Sequence, residues 1–212
     1  MEYIFFDNES SLTGVNIPKS PVGFKKMSHI CKSAEVLFDK KGFYDTSVAD
    51  ICSHAKTAVG TFYIYFHDKT AIYHYLVKNY YVVIKNYLNK HVSECKTRFE
   101  MEREGLKAFI RFGHSHPQCY KIIWGSSHID PALFKDYYTR FAKSYTAALR
   151  KFGEEIITID YSTAAWVLMG ISTFICLKVI FNGKQRLTEK ELDALADEVM
   201  EILSKGLFRQ GK

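Results

Sequence analysis

The feature that most constrains the fold of this chain is a pair of short helical patterns separated by only two residues. Ser47 precedes apolar residues at helical spacing, and Asp50 three residues later completes a capping-box-like pair. Lys56 and Thr57 follow as a turn, and residues 58–65 form the second helical pattern. Two short helices joined by a tight turn, the second packed across the first, constitute a helix-turn-helix.

The composition favours helices in the rest of the chain as well. Hydrophobic residues make up 47% of the 212 residues, and only four prolines and twelve glycines interrupt them. Because glycine and proline are the residues that most often interrupt helices, their low number favours long helices over a fold with many turns. We predict an all-α fold of about nine helices, with an N-terminal three-helix domain and a C-terminal helical bundle. The other predicted helices cover residues 23–41, 69–98, 103–115, 118–127, 131–152, 161–181 and 188–208.

Several helix ends carry specific signals. Gly42 follows Lys40 and Lys41 and is predicted to end the first helix. Pro117 and Pro131 stand where a proline begins a helix. Three residues are predicted N-terminal caps: Asp68, Asp130 and Thr188, the last in a capping box with Glu191.

Charge and cysteine usage limit the class of protein. The net charge of +6 is spread along the chain, so it permits nucleic-acid binding without requiring it. Five cysteines are widely spaced without a C-x-x-C pair, which is typical of reduced thiols in a cytoplasmic protein. The apolar segment 164–180 is at the lower limit for a membrane span, and we favour a buried interface helix.

The second helix of the pair is suited to DNA. An α-helix fits the major groove of B-DNA, and in a helix-turn-helix it is the second helix that enters. Ser47 leaves a helix N-terminus that can receive a phosphate, and Gly60 lets the backbone approach closely. Lys69 adds an ammonium group to the N-terminus of the next helix, where a second phosphate can bind.

Residues 24–76 resemble the DNA-binding domain of the TetR family of bacterial repressors, above all in the stretch GFYDTSVADICSHAKTAVGTFYIYFHDKTAIYHYL. The matches to the family pattern are Gly42, Phe43, Thr46, Ser47, Val48, Ile51, Ala55, Gly60, Thr61, Phe62, Tyr63, Tyr65, Phe66, Asp68 and Lys69. So many matches at fixed spacing are far more specific than a helix-turn-helix alone.

The resemblance implies which residues contact DNA. They are Ser47, Thr57, Ala58, Val59, Gly60, Thr61, Tyr63, Tyr65 and Lys69. Ser47, Tyr63, Tyr65 and Lys69 would hold phosphates, residues 57–61 would face the floor of the groove, and Phe62 and Phe66 would belong to the core.

The chain also departs from the family pattern. Lys56 and Thr57 replace the usual Gly-Val pair, Ala58 replaces a common Ser, and Val59 replaces a polar residue. Because no Arg or Lys reaches a guanine, we expect modest base discrimination, achieved through thymine methyls and partly through DNA shape.

The resemblance further implies a cytoplasmic, homodimeric, ligand-responsive repressor that binds a palindromic double-stranded DNA operator. Residues 1–22 would be an N-terminal arm, 23–69 the DNA-binding domain, and 70–212 the ligand-binding and dimerisation domain. The expected dimer interface comprises Met169, Thr173, Leu177, Leu192, Leu195, Val199 and Ile202. The expected pocket for a small-molecule inducer comprises Phe112, Trp124, His128, Tyr137, Tyr138, Phe141, Trp166 and Phe174.

Two alternatives remain open. The first is a DNA-binding activator or architectural protein without an inducer, and the second is a small-molecule enzyme with an accessory helix-turn-helix. We expect no enzyme, catalytic residue or cofactor, because the chain offers no activated nucleophile or cofactor loop. We expect no metal site at His114, His116 and Cys119, because no further ligand stands at ligand spacing.

Overall fold

The computed structural model describes residues 12–157, 160–182 and 187–206, and within these residues the fold is all-α, as predicted. A short 3₁₀ helix at Gly153–Glu155 follows the seventh α-helix, and the described residues form no strand. The nine helices are α1 (Pro21–Lys41), α2 (Val48–His54), α3 (Val59–Tyr65), α4 (Lys69–Val92), α5 (Arg98–Ser115), α6 (Pro117–Ile129), α7 (Pro131–Arg150), α8 (Tyr161–Phe181) and α9 (Glu189–Lys205).

The predicted signals at the helix ends are confirmed. Gly42 ends α1 with a φ of 83°, a left-handed conformation that glycine adopts at low cost. Pro117 and Pro131 are the first residues of α6 and α7. Two capping boxes are complete in both directions, Ser47 with Asp50 at α2 and Thr188 with Glu191 at α9.

The predicted boundary between α4 and α5 is wrong. α4 ends at Val92, six residues before the expected end, and α5 begins at Arg98 instead of residue 103. The cause is a third capping box, in which the Thr97 hydroxyl accepts from the Glu100 amide and the Glu100 carboxylate accepts from the Thr97 amide. This box starts a new helix, so the chain cannot continue α4 through residue 98.

The chain forms two compact units. Unit 1 comprises the described residues up to Val83 together with Gln118–Tyr138, and unit 2 comprises Ile84–Pro117 together with the described residues from Thr139 onward. Helix α6 therefore groups with the helix-turn-helix. The functional division at residue 69 stays a prediction.

Aromatic side chains of α1, α4 and the loop after α1 pack against one another in unit 1. The rings of Phe38 and Phe43 both pack edge-on against Tyr73, with centroids 5.4 and 5.0 Å from the centroid of the Tyr73 ring. The Tyr73 hydroxyl donates to the carbonyl oxygen of Ile122, and the Tyr80 hydroxyl donates to the buried Glu35 carboxylate at 2.7 Å. These hydrogen bonds satisfy buried polar groups, so α1, α4 and α6 form one packed body.

In unit 2, helix α5 packs against α8 and α9. Arg103 bridges α5 to α9 by hydrogen bonds to Asp197 at 2.7 Å and Asp193 at 3.1 Å. Helix α8 is long and apolar enough to cross a membrane, yet only 17% of its most apolar window is buried within the chain. One helix with this length and composition is only weak evidence of a membrane protein.

Candidate nucleic-acid interface

The N-terminus of α2 is closed by its own side chains. The Ser47 hydroxyl accepts from the Asp50 amide at 3.0 Å and donates to the Asp50 carboxylate at 2.8 Å. The backbone N–H of Ser47, and then its hydroxyl, lower the pKa of Asp50, which is therefore ionised at neutral pH. A phosphate contact from Ser47 must compete with this carboxylate.

The turn between α2 and α3 contains a residue in an unfavourable conformation. Lys56 has a φ of 48°. Among the residues other than glycine that the structure describes, it alone has a positive φ. The amides of Lys56 and Thr57 donate to Ser53 and Cys52, which fixes the turn. Because the Lys56 side chain is exposed beside α3, its ammonium group is a further candidate for phosphate contact. The sequence prediction missed this residue by treating Lys56 only as a departure from the family pattern.

The inner face of α3 anchors the helix in unit 1. Phe62 and Phe66 are fully buried, and their rings lie 5.6 Å apart, which confirms their predicted core role. Ala58 is the N-cap of α3, and its side chain cannot accept a hydrogen bond. Only its backbone carbonyl oxygen can accept one from the first turn of the helix.

The outer face of α3 is exposed and uncharged. It presents Val59, Tyr63 and Ile64 to solvent, with Gly60 between them. A methyl group added to Gly60 would meet no described atom within 4 Å, so the fold of the chain does not require a glycine there. The sequence prediction missed Ile64, although its position four residues after Gly60 places the two on one helix face.

The two tyrosines predicted to hold phosphates occupy different environments. Tyr63 is 53% exposed, whereas Tyr65 is 5% exposed. Tyr63 can therefore meet a phosphate without rearrangement, and Tyr65 offers little surface. Thr57 and Thr61 are half-buried, and Ala58 is exposed, at the edge of the same face. Their DNA contacts stay predictions.

Lys69, at the start of α4, is held by the loop that follows α1. Its ammonium group donates to the carbonyl oxygens of Phe43 at 2.7 Å and Tyr44 at 3.3 Å, and it lies 4.4 Å from the Phe43 ring centroid. Asp68 caps α4 by accepting from the Ala71 amide at 2.7 Å, which lowers the pKa of its carboxyl. Lys69 therefore has a structural role that the sequence did not indicate.

The residues predicted to line a ligand pocket differ in how much of each side chain is exposed to solvent. Phe112 and Tyr137 are buried, and Tyr138 and Phe141 are half-buried. In contrast, Trp124, His128, Trp166 and Phe174 are exposed within one chain. The ligand pocket as a whole stays a prediction.

The predicted dimer residues are divided in the same way. Leu192 and Val199 are buried inside unit 2, so they are already covered within one chain. Ile202 is exposed, and Met169, Thr173, Leu177 and Leu195 are half-buried. The apolar surface that α8 leaves uncovered is formed by Trp166, Val167, Phe174 and Phe181.

The other candidate sites of the sequence have ordinary structural roles. Asp130 caps α7 through the amides of Ala132 and Leu133, as predicted. His116 stacks on Phe112 and is half-buried, which lowers its pKa. In the described part of the chain, no group of three or more His, Cys, Asp or Glu is arranged to hold a metal ion.

The helix-turn-helix region matches a known family of proteins. Residues 30–76 match the sequence profile described as bacterial regulatory proteins, tetR family. This span contains α2, α3 and the start of α4. The chain is also 28% identical, over 109 residues, to the Bacillus subtilis protein named "Probable HTH-type transcriptional regulator YttP". That match covers 50% of this chain and 53% of the relative, about half the length of each.

Solved structures resemble the whole described fold. The fatty acid degradation regulator FadR from Bacillus halodurans has a TM-score of 0.75 at 16% identity, covering 92% of this chain and 100% of that one. A TetR-like transcriptional regulator from Rhodococcus has a TM-score of 0.68 at 18% identity, covering 90% and 98%. At these identities the likeness establishes the fold alone.

Proposed function

We propose that the chain is a transcriptional regulator of the TetR family, whose profile residues 30–76 match, and that it inserts α3 into the major groove of operator DNA. The observation that carries this proposal is the division of α3 into two faces. Phe62 and Phe66 anchor the inner face, while Val59, Gly60 and Tyr63 present an exposed outer face without charge.

The chemistry of the outer face suggests how DNA is recognised. Ala58, Val59 and the methyl group of Thr61 suit contact with thymine methyl groups in the major groove. The exposed Tyr63 hydroxyl and the Lys56 ammonium suit phosphates. A surface of this composition gains its affinity for DNA from contacts with the phosphate backbone. It distinguishes one DNA sequence from another through apolar contacts and DNA shape.

A homodimer would place two such helices on one duplex. The support for a dimer is the exposed apolar surface of α8, which includes Trp166, Val167 and Phe174, together with the family membership. Exposed apolar patches of this kind commonly mark protein interfaces. A two-fold dimer reads a palindrome, with half-sites about one helical turn apart or multiples of it.

We further propose that a small molecule regulates DNA binding by favouring a conformation in which the two α3 helices no longer match the operator spacing. Such a ligand acts by its difference in affinity for the two conformations. The predicted pocket residues stay the candidates for its binding site. Repression follows where the operator overlaps a promoter.

The direct test is selection of DNA by the full-length chain from a random-sequence duplex library. We expect an enriched palindrome, bound with a stoichiometry of two chains per duplex at low protein excess. Binding to the enriched duplex should weaken steeply with salt, because phosphate contacts release counterions. If sequencing after repeated rounds shows no enriched motif, the chain is not a sequence-reading regulator of this kind.

A further inference from the structure

A short segment before α1 is paired with the end of the DNA-reading helix. We call residues 12–16 the strap. Val15 forms an isolated antiparallel bridge with Phe66, the residue that ends α3. The Asn16 amide donates to the Tyr65 carbonyl oxygen at 2.8 Å, and the His67 amide donates to the Gly14 carbonyl oxygen at 2.8 Å. Residues 12–20 of the predicted arm therefore have a defined structure, while residues 1–11 lie outside the described residues.

The strap satisfies backbone groups that α3 cannot satisfy itself. The last carbonyl groups of any helix lack partners within the helix, and α3 has only seven residues. The Asn16 side-chain amide donates to the Ile64 carbonyl oxygen at 3.1 Å, beside the bond from its backbone to Tyr65. A helix of this length is only marginally stable by itself. The hydrogen bonds from the strap therefore stabilise the C-terminal end of α3.

The backbone of the strap is fitted closely to this position. Gly14 has a φ of 75°, and a methyl group added to it would lie 3.1 Å from Cβ of His67 and 3.4 Å from Cβ of Ala71. Leu12 is buried at the start of the strap. After the strap, a methyl group added to Gly23 in α1 would lie 2.6 Å from Cβ of Pro18, so the chain turns tightly into α1. The strap is thus closely fitted to His67 and Ala71, just after α3, and a tight turn into α1 follows it.

We propose that the strap is a positioning element of the DNA-reading surface. It fixes the C-terminal end of α3, which sets the direction of Tyr63 and Ile64 relative to the groove. Recognition surfaces must be held to within about 0.5 Å of their working geometry, and α3 has no side-chain cap at its other end. The proposal rests on the proposed function, because positioning matters only if α3 reads DNA.

The test compares strap variants in the full chain. Asn16→Ala removes the side-chain bond to Ile64 and keeps the backbone pairing, whereas Gly14→Ala strains the backbone. Thr13→Ala is the matched control, because Thr13 is exposed in the same segment. Each variant is titrated with the duplex enriched by the wild-type chain and with a random-sequence duplex at the same salt concentration. Thermal unfolding confirms that each variant is folded at the assay temperature.

We expect Asn16→Ala to bind the enriched duplex up to about fivefold more weakly, because re-ordering the loosened end of α3 on DNA costs at most what one hydrogen bond commonly contributes. Gly14→Ala should lose about tenfold or more. Binding to the random duplex should change by less than about twofold, because phosphate contacts tolerate small displacements. Backbone amides of residues 62–67 should also exchange hydrogen faster in both variants and not in Thr13→Ala.

Two results would overturn the positioning role. One is unchanged affinity of both strap variants for the enriched duplex, and the other is an equal loss on both duplexes, which would mean that the strap supports the fold as a whole. Failure of the wild-type chain to enrich any duplex would instead refute the proposed function, and the inference with it. Failure of the proposed function is distinguishable from failure of the positioning role, because the selection with the wild-type chain is completed before any variant is made.

Discussion

Lys69 Nζ lies 2.7 Å from the carbonyl oxygen of Phe43 and 4.4 Å from the centroid of the Phe43 ring. One ammonium group thus joins the start of α4 to the loop after α1, next to the proposed DNA surface. An ammonium has three donor hydrogens, and two are directed at Phe43 and Tyr44. The third remains for a phosphate.

Lys69→Ala is therefore expected to lower both stability and DNA affinity. Loss of the hydrogen bonds and the ring contact should lower the free energy of unfolding by about 1–2 kcal/mol. Loss of a phosphate contact should weaken binding to all duplexes and reduce the slope of log affinity against log salt by about one. The measurements are urea unfolding and fluorescence anisotropy at several salt concentrations.

Lys90→Ala is the control for this experiment, since it removes the same charge from an exposed position near the other end of α4. It should leave stability and the salt slope close to those of the wild type. If Lys69→Ala destabilises the protein but keeps the wild-type salt slope, Lys69 is structural and does not contact a phosphate.

Gly60→Ala should separate stability from function. A glycine inside a helix costs roughly 0.5–1 kcal/mol relative to alanine, and the added methyl group meets no described atom within 4 Å. We therefore expect a more stable protein. If the DNA surface approaches Gly60 closely, the same methyl group should weaken binding by about tenfold, the cost of an overpacked contact.

Gly105→Ala in α5 is the matched control, because its methyl group would make only an ordinary contact, 3.7 Å from Val92. It should also stabilise the protein, while its DNA affinity stays at the wild-type level. Wild-type affinity in Gly60→Ala would show that this face of α3 does not enter the groove.

Lys56→Gly should relieve the strain in the turn between α2 and α3. The φ of 48° at Lys56 is unfavourable for any side chain with a Cβ atom, and glycine adopts it freely. Compared with Lys56→Ala, the glycine variant should be more stable by about 0.5–1 kcal/mol, after the greater entropy of glycine in the unfolded chain is counted. Chemical unfolding of both variants measures this difference.

The same pair also tests the Lys56 charge, because both substitutions remove it. Both variants should therefore weaken DNA binding and lower the salt slope equally, although their stabilities differ. An alanine variant more stable than the glycine variant would show that the left-handed turn carries no strain, because only the unfolded-state entropy of glycine would then separate the two.

The sequence predicted those features that depend on neighbouring residues. The capping boxes at Ser47 and Thr188 were predicted correctly, because local spacing determines them. The burial of Phe62 and Phe66 is also confirmed, and it was predicted from the family resemblance. The box at Thr97 carried the same signal and was missed, because the apolar pattern of α4 obscured it. In that instance the capping chemistry determined where the helix ended.

The features that the sequence did not predict depend on distant contacts. The strap bonds to Tyr65 and Ile64 join residues about 50 positions apart, and backbone pairing leaves no pattern in side-chain identity. Burial of Tyr65 and Leu192 likewise depends on which neighbour covers each face of a helix. Periodicity identifies an apolar face without identifying what covers it.

Phe174→Glu should separate the proposed dimer into monomers. Phe174 is 64% exposed on α8, beside other exposed apolar residues, so it is available for an interface between two chains. Burying a phenylalanine contributes about 1.5–3 kcal/mol, and a two-fold interface contains the substitution twice. An added carboxylate that cannot be hydrated in the interface makes the loss larger. Sedimentation velocity should show one chain where the wild type shows two.

Ile157→Glu is the control, because Ile157 is a fully exposed apolar residue outside α8 and should leave the dimer intact. The Phe174 monomer should still bind random DNA, since each chain keeps its own α3. It should lose most of its affinity for the palindrome, because the two half-sites would then be bound independently. A Phe174→Glu protein that remains a dimer would show that the exposed face of α8 is not the interface.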